Sequence, residues 1–241
     1  MQIRQSPSPN HDARPPDTPI DILLLHYTDM RSCAEAVERL RDPAARVSAH
    51  YCIGIDGTVH ALVPEERRAW HAGQSYWAGA REINGRSIGI ELDNPGHQFG
   101  YRPFPDAQME SLAELGRGIL ARHPIPSHRV LGHSDVAPAR KIDPGELFDW
   151  PRLAAAGVGL WPDATAFADP GPAESAGAIA RTQSDLARFG YDVTVTGIAD
   201  GRSRAALAAF QRHFHPCRIT GEPDGGTRRM LAALIAQLPF L

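Results

Sequence analysis

Between Gly132 and Gly145 the chain reads Gly-His-Ser-Asp-Val-Ala-Pro-Ala-Arg-Lys-Ile-Asp-Pro-Gly, which puts an imidazole (His133), an ammonium (Lys141) and a carboxylate (Asp143) in one short segment. Pro138 lacks an amide donor and opposes a continuous helix, so the segment reads as a loop that folds back and lets His133 and Asp143 meet. Imidazole nitrogen and carboxylate oxygen both suit zinc, and a catalytic zinc takes three protein ligands and keeps a position for water. An ordinary surface loop with an Asp-Pro-Gly turn would use the same residues, so a third ligand has to come from elsewhere in the chain.

Two strands offer candidates. Ile20–His26 is a short apolar run with His26 at its C-terminal end, and strand ends of α/β sheets are where ligands are commonly placed. A core histidine bonded to a backbone carbonyl would satisfy the same pattern. Ser87–Leu92 carries Ile88, Ile90 and Leu92 on one face and Gly89 and Glu91 on the other. A carboxylate in so apolar a strand is costly unless it faces a polar cavity or has a partner. The alternative is a solvent-facing glutamate on a one-sided sheet; the immediate stop at Asn94-Pro95-Gly96 favours the cavity.

The elements that would position these groups follow from local signals. Residues 1–19, rich in Pro, Ser and Asp, read as a loose arm. Ser32 and Glu35 have the capping-box spacing for a helix to about Arg41. Val47–Ile55 and Val59–Val63 read as a hairpin around Asp56-Gly57, with His50 and Tyr51 on its first strand. Trp70-His71-Ala-Gly73, with Trp77 behind it, is an aromatic loop that serves as an anchored lid or as a sugar-stacking wall. Asp106–Arg122 has helical spacing at Met109, Leu112, Leu115 and Ile119, with Asp106 as its cap. Gly145–Ala155 reads as a short closing helix. Residues 156–174 read as a Gly- and Pro-rich linker, followed at 175–241 by three short helices, Ser175–Phe189, Ser203–Phe214 and Thr227–Leu238.

Composition excludes several classes. The 241 residues carry 25 Lys and Arg against 28 Asp and Glu, a net charge of −3, with no long basic run, so nucleic acid is not the expected partner. The three cysteines, Cys33, Cys52 and Cys217, are too few and too far apart for a zinc knuckle or a disulfide framework. No stretch approaches the roughly 20 apolar residues of a membrane span, and the opening Met-Gln-Ile-Arg-Gln has no apolar run of signal-peptide length. A cytoplasmic monomer is therefore expected, with a periplasmic or outer-membrane setting as the alternative.

Taken together, Leu-Leu-His26-Tyr-Thr, Ser-Ala-His-Tyr51, Trp70-His-Ala-Gly73, Ser87-Ile-Gly-Ile-Glu91 and the Gly132–Gly145 segment resemble, in order, the zinc-dependent N-acetylmuramoyl-L-alanine amidases of the amidase-2 type, most closely the AmiD-like branch. That family shares its fold with phage T7 lysozyme and the peptidoglycan recognition proteins. The resemblance covers residues 20–155 and implies an α/β fold, a mixed central β-sheet flanked by helices. It also implies one zinc ion on His26, His133 and Asp143, Glu91 as general base, and Lys141 beside the oxyanion. Tyr51, Trp70 and His71 become candidate substrate contacts. The implied substrate is peptidoglycan or a soluble, possibly 1,6-anhydro, muropeptide. A non-cleaving recognition protein of the same fold is the main rival, and the presence of all three ligands and both helper residues argues against it.

Residues 175–241 resemble the three-helix peptidoglycan-binding domain through Thr182-Gln-Ser-Asp-Leu186, Gly197-Ile-Ala-Asp-Gly201 and Ala205-Ala-Leu-Ala-Ala-Phe210-Gln211. They depart from it at Arg202-Ser203-Arg204, where a second Gly and a Thr are usual. The linker leads to the expectation that residues 1–165 fold and act alone.

Overall fold

The computed structural model describes residues 1–162 and 176–238. Its strands are β1 (Ile3–Gln5), β2 (His11–Ala13), β3 (Ile22–Tyr27), β4 (Tyr51–Ile53), β5 (Val59–Ala61), β6 (Arg67–Ala69), β7 (Ser87–Leu92) and β8 (Val130–Gly132). The helices are α1 (Cys33–Arg41), α2 (Ile83–Arg86), α3 (Gly96–Phe99), α4 (Asp106–Arg122), α5 (His133–Val136), α6 (Trp150–Ala155), α7 (Ala176–Phe189), α8 (Gly201–Phe214) and α9 (Gly225–Ala236). Six strands form one mixed sheet in the order β1-β5-β4-β7-β3-β8, and β2 pairs with β6 in a separate ribbon. β4, β7, β3 and β8 run parallel, with β7 and β3 inside the sheet and β8 at its edge.

β3 is buried along its whole length, as expected of a parallel strand covered on both faces. Because side chains alternate, its residues divide between two cores. Leu23, Leu25 and Tyr27 join Ile88, Ile90 and Leu92 of β7 beneath Met109, Leu112, Leu115 and Ile119 of α4. Ile22 and Leu24 face the other way, into a core shared with the C-terminal helices. His26 continues that second face. The register pairs Ile22 with Ser87, Leu24 with Gly89 and His26 with Glu91, so Ser87, Gly89 and Glu91 share the face of His26.

The expected loose arm is instead ordered. β1 adds to the sheet by pairing with β5, which satisfies backbone groups that an edge would leave open. Ser8 and Asn10 are buried and donate to the carbonyls of Leu40, Asp42 and Val47. The Arg14 guanidinium donates to the carbonyls of Glu65, Gly85 and Ser87. Composition signalled disorder because it does not register that each of these polar groups has a buried partner.

Smaller differences have local causes. α1 starts as expected, with Ser32 Oγ accepting from the Glu35 amide. Pro105, extended at φ −63° and ψ 153°, precedes α4 in place of Asp106, whose carboxylate accepts from Arg152 at 2.5 Å. α6 begins at Trp150, five residues late, because Asp149 caps it and Pro151 fills its first turn. Of the expected linker, the described residues up to 162 belong to the packed body: Val158 is fully buried and rests against Gly116. The rest, 163–174, lies outside the described residues.

The C-terminal helices form no separate core. Leu186, Phe189, Tyr191, Phe210, Phe214 and Leu231 lie in one cluster with Ile22, Leu24, Trp77, Ile83, Leu131 and Val136. Trp77 meets Tyr191 edge to face at 4.9 Å. Gly190, at φ +140°, passes so close to the indole that a β-carbon there would fall 2.5 Å from it. Within the bundle two loops are built alike. Gln183 accepts from the amides of Thr196 and Gly197 and donates to Ser203 Oγ; Gln211 accepts from Thr220 and Gly221 and donates to Thr227 Oγ1. Ser203, within the departure at Arg202-Ser203-Arg204, supplies in the first loop the hydroxyl that Thr227 supplies in the second.

His50, fully buried in β4's approach, is held neutral: burial first, then Arg14, lower its pKa to about 3. An unfolded histidine binds a proton below about pH 6.5. Between about pH 3 and 6.5 the unfolded chain therefore carries the extra proton, and stability rises with pH. In metal-free protein, His50→Gln is expected to flatten the pH dependence of urea unfolding in that window by about 1.4 kcal/mol per pH unit. An unchanged slope would show that His50 takes no part.

Candidate metal centre

His26 stands at the end of β3, His133 opens α5 directly after β8, and Asp143 closes the folded-back loop. That loop is built from short-range bonds: the Ala137 amide donates to the His133 carbonyl, those of Arg140 and Lys141 donate to the Ala137 carbonyl, and the Ser134 amide donates to the Asp143 carbonyl at 2.9 Å. The last of these ties the two ends of the segment together. His26 Nδ1 and His133 Nδ1 are 3.0 Å apart, and each is 3.1 Å from Asp143 Oδ2. The three residues are 1%, 3% and 5% exposed, and they form the histidine–carboxylate group able to hold a metal ion among the described residues.

The donor set fits a divalent cation. His133 Nε2 lies 3.0 Å from the Ala72 carbonyl, which only accepts, so Nε2 carries a proton and Nδ1, facing Asp143, is the nitrogen left for a metal. Lone pairs converging at about 3 Å repel unless a cation lies among them. Tetrahedral zinc with bonds of roughly 2.0–2.1 Å needs donors about 3.3 Å apart. Burial, then His133, lowers His26 to a pKa of about 4, which keeps it neutral as ligation requires. Burial would raise Asp143, yet His133 and His26 hold its carboxyl well below the usual carboxylate range.

Glu91 and Lys141 line the same cleft, of about 970 Å³, together with Trp70, His71, His97, Phe99 and the three donors. Burial, reinforced by Asp143, pushes the Glu91 carboxyl well above its ordinary range, with Lys141 opposing. Glu91 Oε2 is buried with no hydrogen-bond partner among the described residues. A carboxyl held in this state binds a proton more readily than an exposed one, which suits a group that takes up and returns a proton.

Trp70 lines the cleft, half-buried, with its indole Nε1 unpartnered among the described residues. His71 lines it too, but both ring nitrogens are engaged: Nδ1 is 3.0 Å from His26 Nε2 and Nε2 is 3.3 Å from Ser87 Oγ. Tyr51 is a correction. It does not line the cleft; its hydroxyl donates to Glu65 Oε1 at 2.7 Å, because its place on β4 turns it away toward α4 and the Arg122–Glu65 pair.

Three supporting residues had no distinct signal in the sequence. Asn84 Oδ1 accepts from the amides of both His71 and Ala72. Arg140 Nη2 donates to the carbonyls of Ala72 and Gln74, fastening the aromatic loop to the metal loop. Asp135, 1% exposed, accepts from the Gly132 amide, from Tyr191 Oη at 2.6 Å and from His213 Nδ1 at 2.8 Å. Through Asp135 the bundle touches the segment that carries His133. Among the described residues no helix is long and apolar enough to cross a membrane.

Comparison with known proteins agrees with this geometry. Residues 16–146 match the N-acetylmuramoyl-L-alanine amidase family model, and residues 175–231 match a peptidoglycan binding domain model. The chain is 38% identical over 237 residues to the N-acetylmuramoyl-L-alanine amidase AmiD of Escherichia coli, covering 90% of this chain and 82% of that one. It is 36% identical over 172 residues to the 1,6-anhydro-N-acetylmuramyl-L-alanine amidase AmpD of Salmonella typhimurium, covering 64% of this chain and 90% of the relative. Among solved structures, E. coli AmiD in complex with the substrate anhydro-N-acetylmuramic acid-L-Ala-D-γ-Glu-L-Lys superposes with a TM-score of 0.81 at 36% identity, covering 92% of this chain and 91% of the other. AmpDh3 from Pseudomonas aeruginosa gives 0.80 at 32%, covering 94% and 96%.

Proposed function

The chain belongs to the N-acetylmuramoyl-L-alanine amidase family, and from that membership we propose that it hydrolyses the amide between the lactyl group of N-acetylmuramic acid and L-alanine of the stem peptide, with one zinc ion on His26, His133 and Asp143. The observation that carries the reading is the meeting of three lone-pair donors beside a buried, unpartnered carboxyl in one cleft. Zinc held there supplies Lewis acidity, which polarises a carbonyl and acidifies water.

The protein's own groups do the rest. Glu91 takes the proton from the attacking water and returns it to the amine of L-alanine as the carbon–nitrogen bond breaks. Lys141 sets a cation beside the oxygen that gains charge. His26 and His133 each turn Nδ1 toward the metal position and keep Nε2 for a partner behind. Trp70, half-buried in the cleft wall, offers an aromatic surface to the sugar or peptide. Residues 20–155 do this work, and the helices of 175–241 hold it from behind.

We take soluble muropeptides, the 1,6-anhydro forms included, as substrates of first choice, because AmpD is named for such a substrate and AmiD is solved in complex with one. A cytoplasmic setting is supported by three cysteines that stand free. The test is mass spectrometry of products from an anhydro-muropeptide and from intact sacculi, run beside metal analysis. Release of the intact peptide with a free L-alanine amine, one zinc per chain, and loss of zinc in His133→Ala are the expected results. Cleavage at another bond, or full zinc occupancy in His133→Ala, would overturn the reading.

A further inference from the structure

The metal-facing nitrogen of His26 is Nδ1, and a neutral imidazole presents a bare Nδ1 only when its proton sits on Nε2. For His133 a backbone carbonyl settles this. For His26 no carbonyl stands behind Nε2; another imidazole does, His71 Nδ1 at 3.0 Å. A second histidine can donate or accept, so the tautomer of His26 depends on what holds His71.

The chain of bonds gives the direction. Ser87 Oγ donates to the Ile83 carbonyl at 2.6 Å. Its proton is thereby committed, and the oxygen is left to accept from His71 Nε2 at 3.3 Å. His71 then carries its proton on Nε2 and a lone pair on Nδ1. That lone pair accepts from His26 Nε2–H, and His26 Nδ1 is bare toward His133 and Asp143. We infer that His71, with Ser87 and the Ile83 carbonyl behind it, fixes the tautomer and ring orientation of the ligand His26, so that it is a positioning residue rather than a contact for substrate.

Two features independent of those distances support this. A β-carbon on Gly89 would stand 2.5 Å from His71 Nδ1, so β7 gives up a side chain beside Leu24 to seat this ring in the sheet's face. Asn84 Oδ1 accepts from the amides of both His71 and Ala72, which fixes the backbone from which the ring projects. Partners of this kind behind a ligand typically govern metal affinity by 10–100-fold.

The inference rests on the proposed zinc site, and the test separates the two. Long-range proton–nitrogen NMR on the unmutated protein is expected to show His71 protonated on Nε2 with a bare Nδ1; protonation on Nδ1 would overturn the inference whether or not zinc binds. Zinc affinity by chelator competition is then compared in His71→Asn, whose Oδ1 can still accept from His26, and His71→Leu, which fills space but cannot. The asparagine variant is expected within about threefold of the parent, and the leucine variant about 10–100-fold weaker. Equal affinity in the leucine variant and the parent, or equal weakness in both variants, would overturn the assignment. A parent protein that binds no zinc would defeat the metal reading instead.

Discussion

Glu91→Gln is expected to retain one zinc per chain and to lose at least about 10²-fold in kcat on a muropeptide. The amide keeps the size of the carboxyl but cannot take a proton from water at neutral pH. Glu91 is not among the three converging donors, so metal content should hold. Burial and Asp143 raise its affinity for a proton, and Lys141 and a bound metal ion work the other way; that balance is lost with the charge. The loss should fall on kcat, because the interaction strengthens only as the proton moves, with KM little changed. Lys141→Met should also act mainly on kcat, through the oxyanion. Single-turnover assays with metal analysis on the same preparations check both. Near-normal turnover in Glu91→Gln would remove it from the proton path; loss of zinc would make it a structural partner of the centre.

The second large effect concerns the helices. A chain ending at residue 162 is expected to be insoluble or largely unfolded, contrary to the expectation that residues 1–165 act alone. Trp77, Ile22, Leu24, Ile83, Leu131 and Val136 are each at most 2% exposed, and all pack in the cluster with the C-terminal helices. Stripping those helices would bare a large contiguous apolar surface of the kind that drives aggregation. Asp135 would lose both Tyr191 and His213, the two side chains through which the bundle holds the segment that carries His133. A milder probe leaves the chain whole: Tyr191→Phe removes one of those hydrogen bonds and should cost about 1–3 kcal/mol in urea unfolding. A soluble, cooperative and active 1–162 fragment would refute the shared core.

What the sequence disclosed and what it hid follow from the range of each signal. His26, Glu91, His133, Lys141 and Asp143 were legible because each sits at a strand end, on an apolar strand or in a Pro-punctuated loop. The structure brings them to one cleft. Alternation also exposed the division of Ser87–Leu92 into two faces. Contacts made at long separation stayed hidden. Arg14 and Asn10 order the N-terminal residues through carbonyls 30 to 73 positions away, which composition does not see. Alternation sets Tyr51 with Val47, Ala49, Ile53 and Ile55, opposite Ser48 and His50, but does not say which of the two sides meets the cleft. The helical unit read as a separate domain because Gly- and Pro-rich composition marks a break in periodicity, not a break in packing.

The split of β3 and β7 between two cores bears on how such a protein can vary over evolutionary time. Ile22, Leu24 and His26 face one way, and Leu23, Leu25 and Tyr27 the other. Exchanging one aliphatic residue for another adjusts volume locally and is tolerated. Losing or gaining a single codon in the strand rotates every later side chain to the opposite face: it would send His26 beneath α4 and bring an apolar or phenolic side chain to the metal position. Drift in this lineage is therefore free to alter spelling within the central strands but not their length, and insertions must accumulate in the connecting loops.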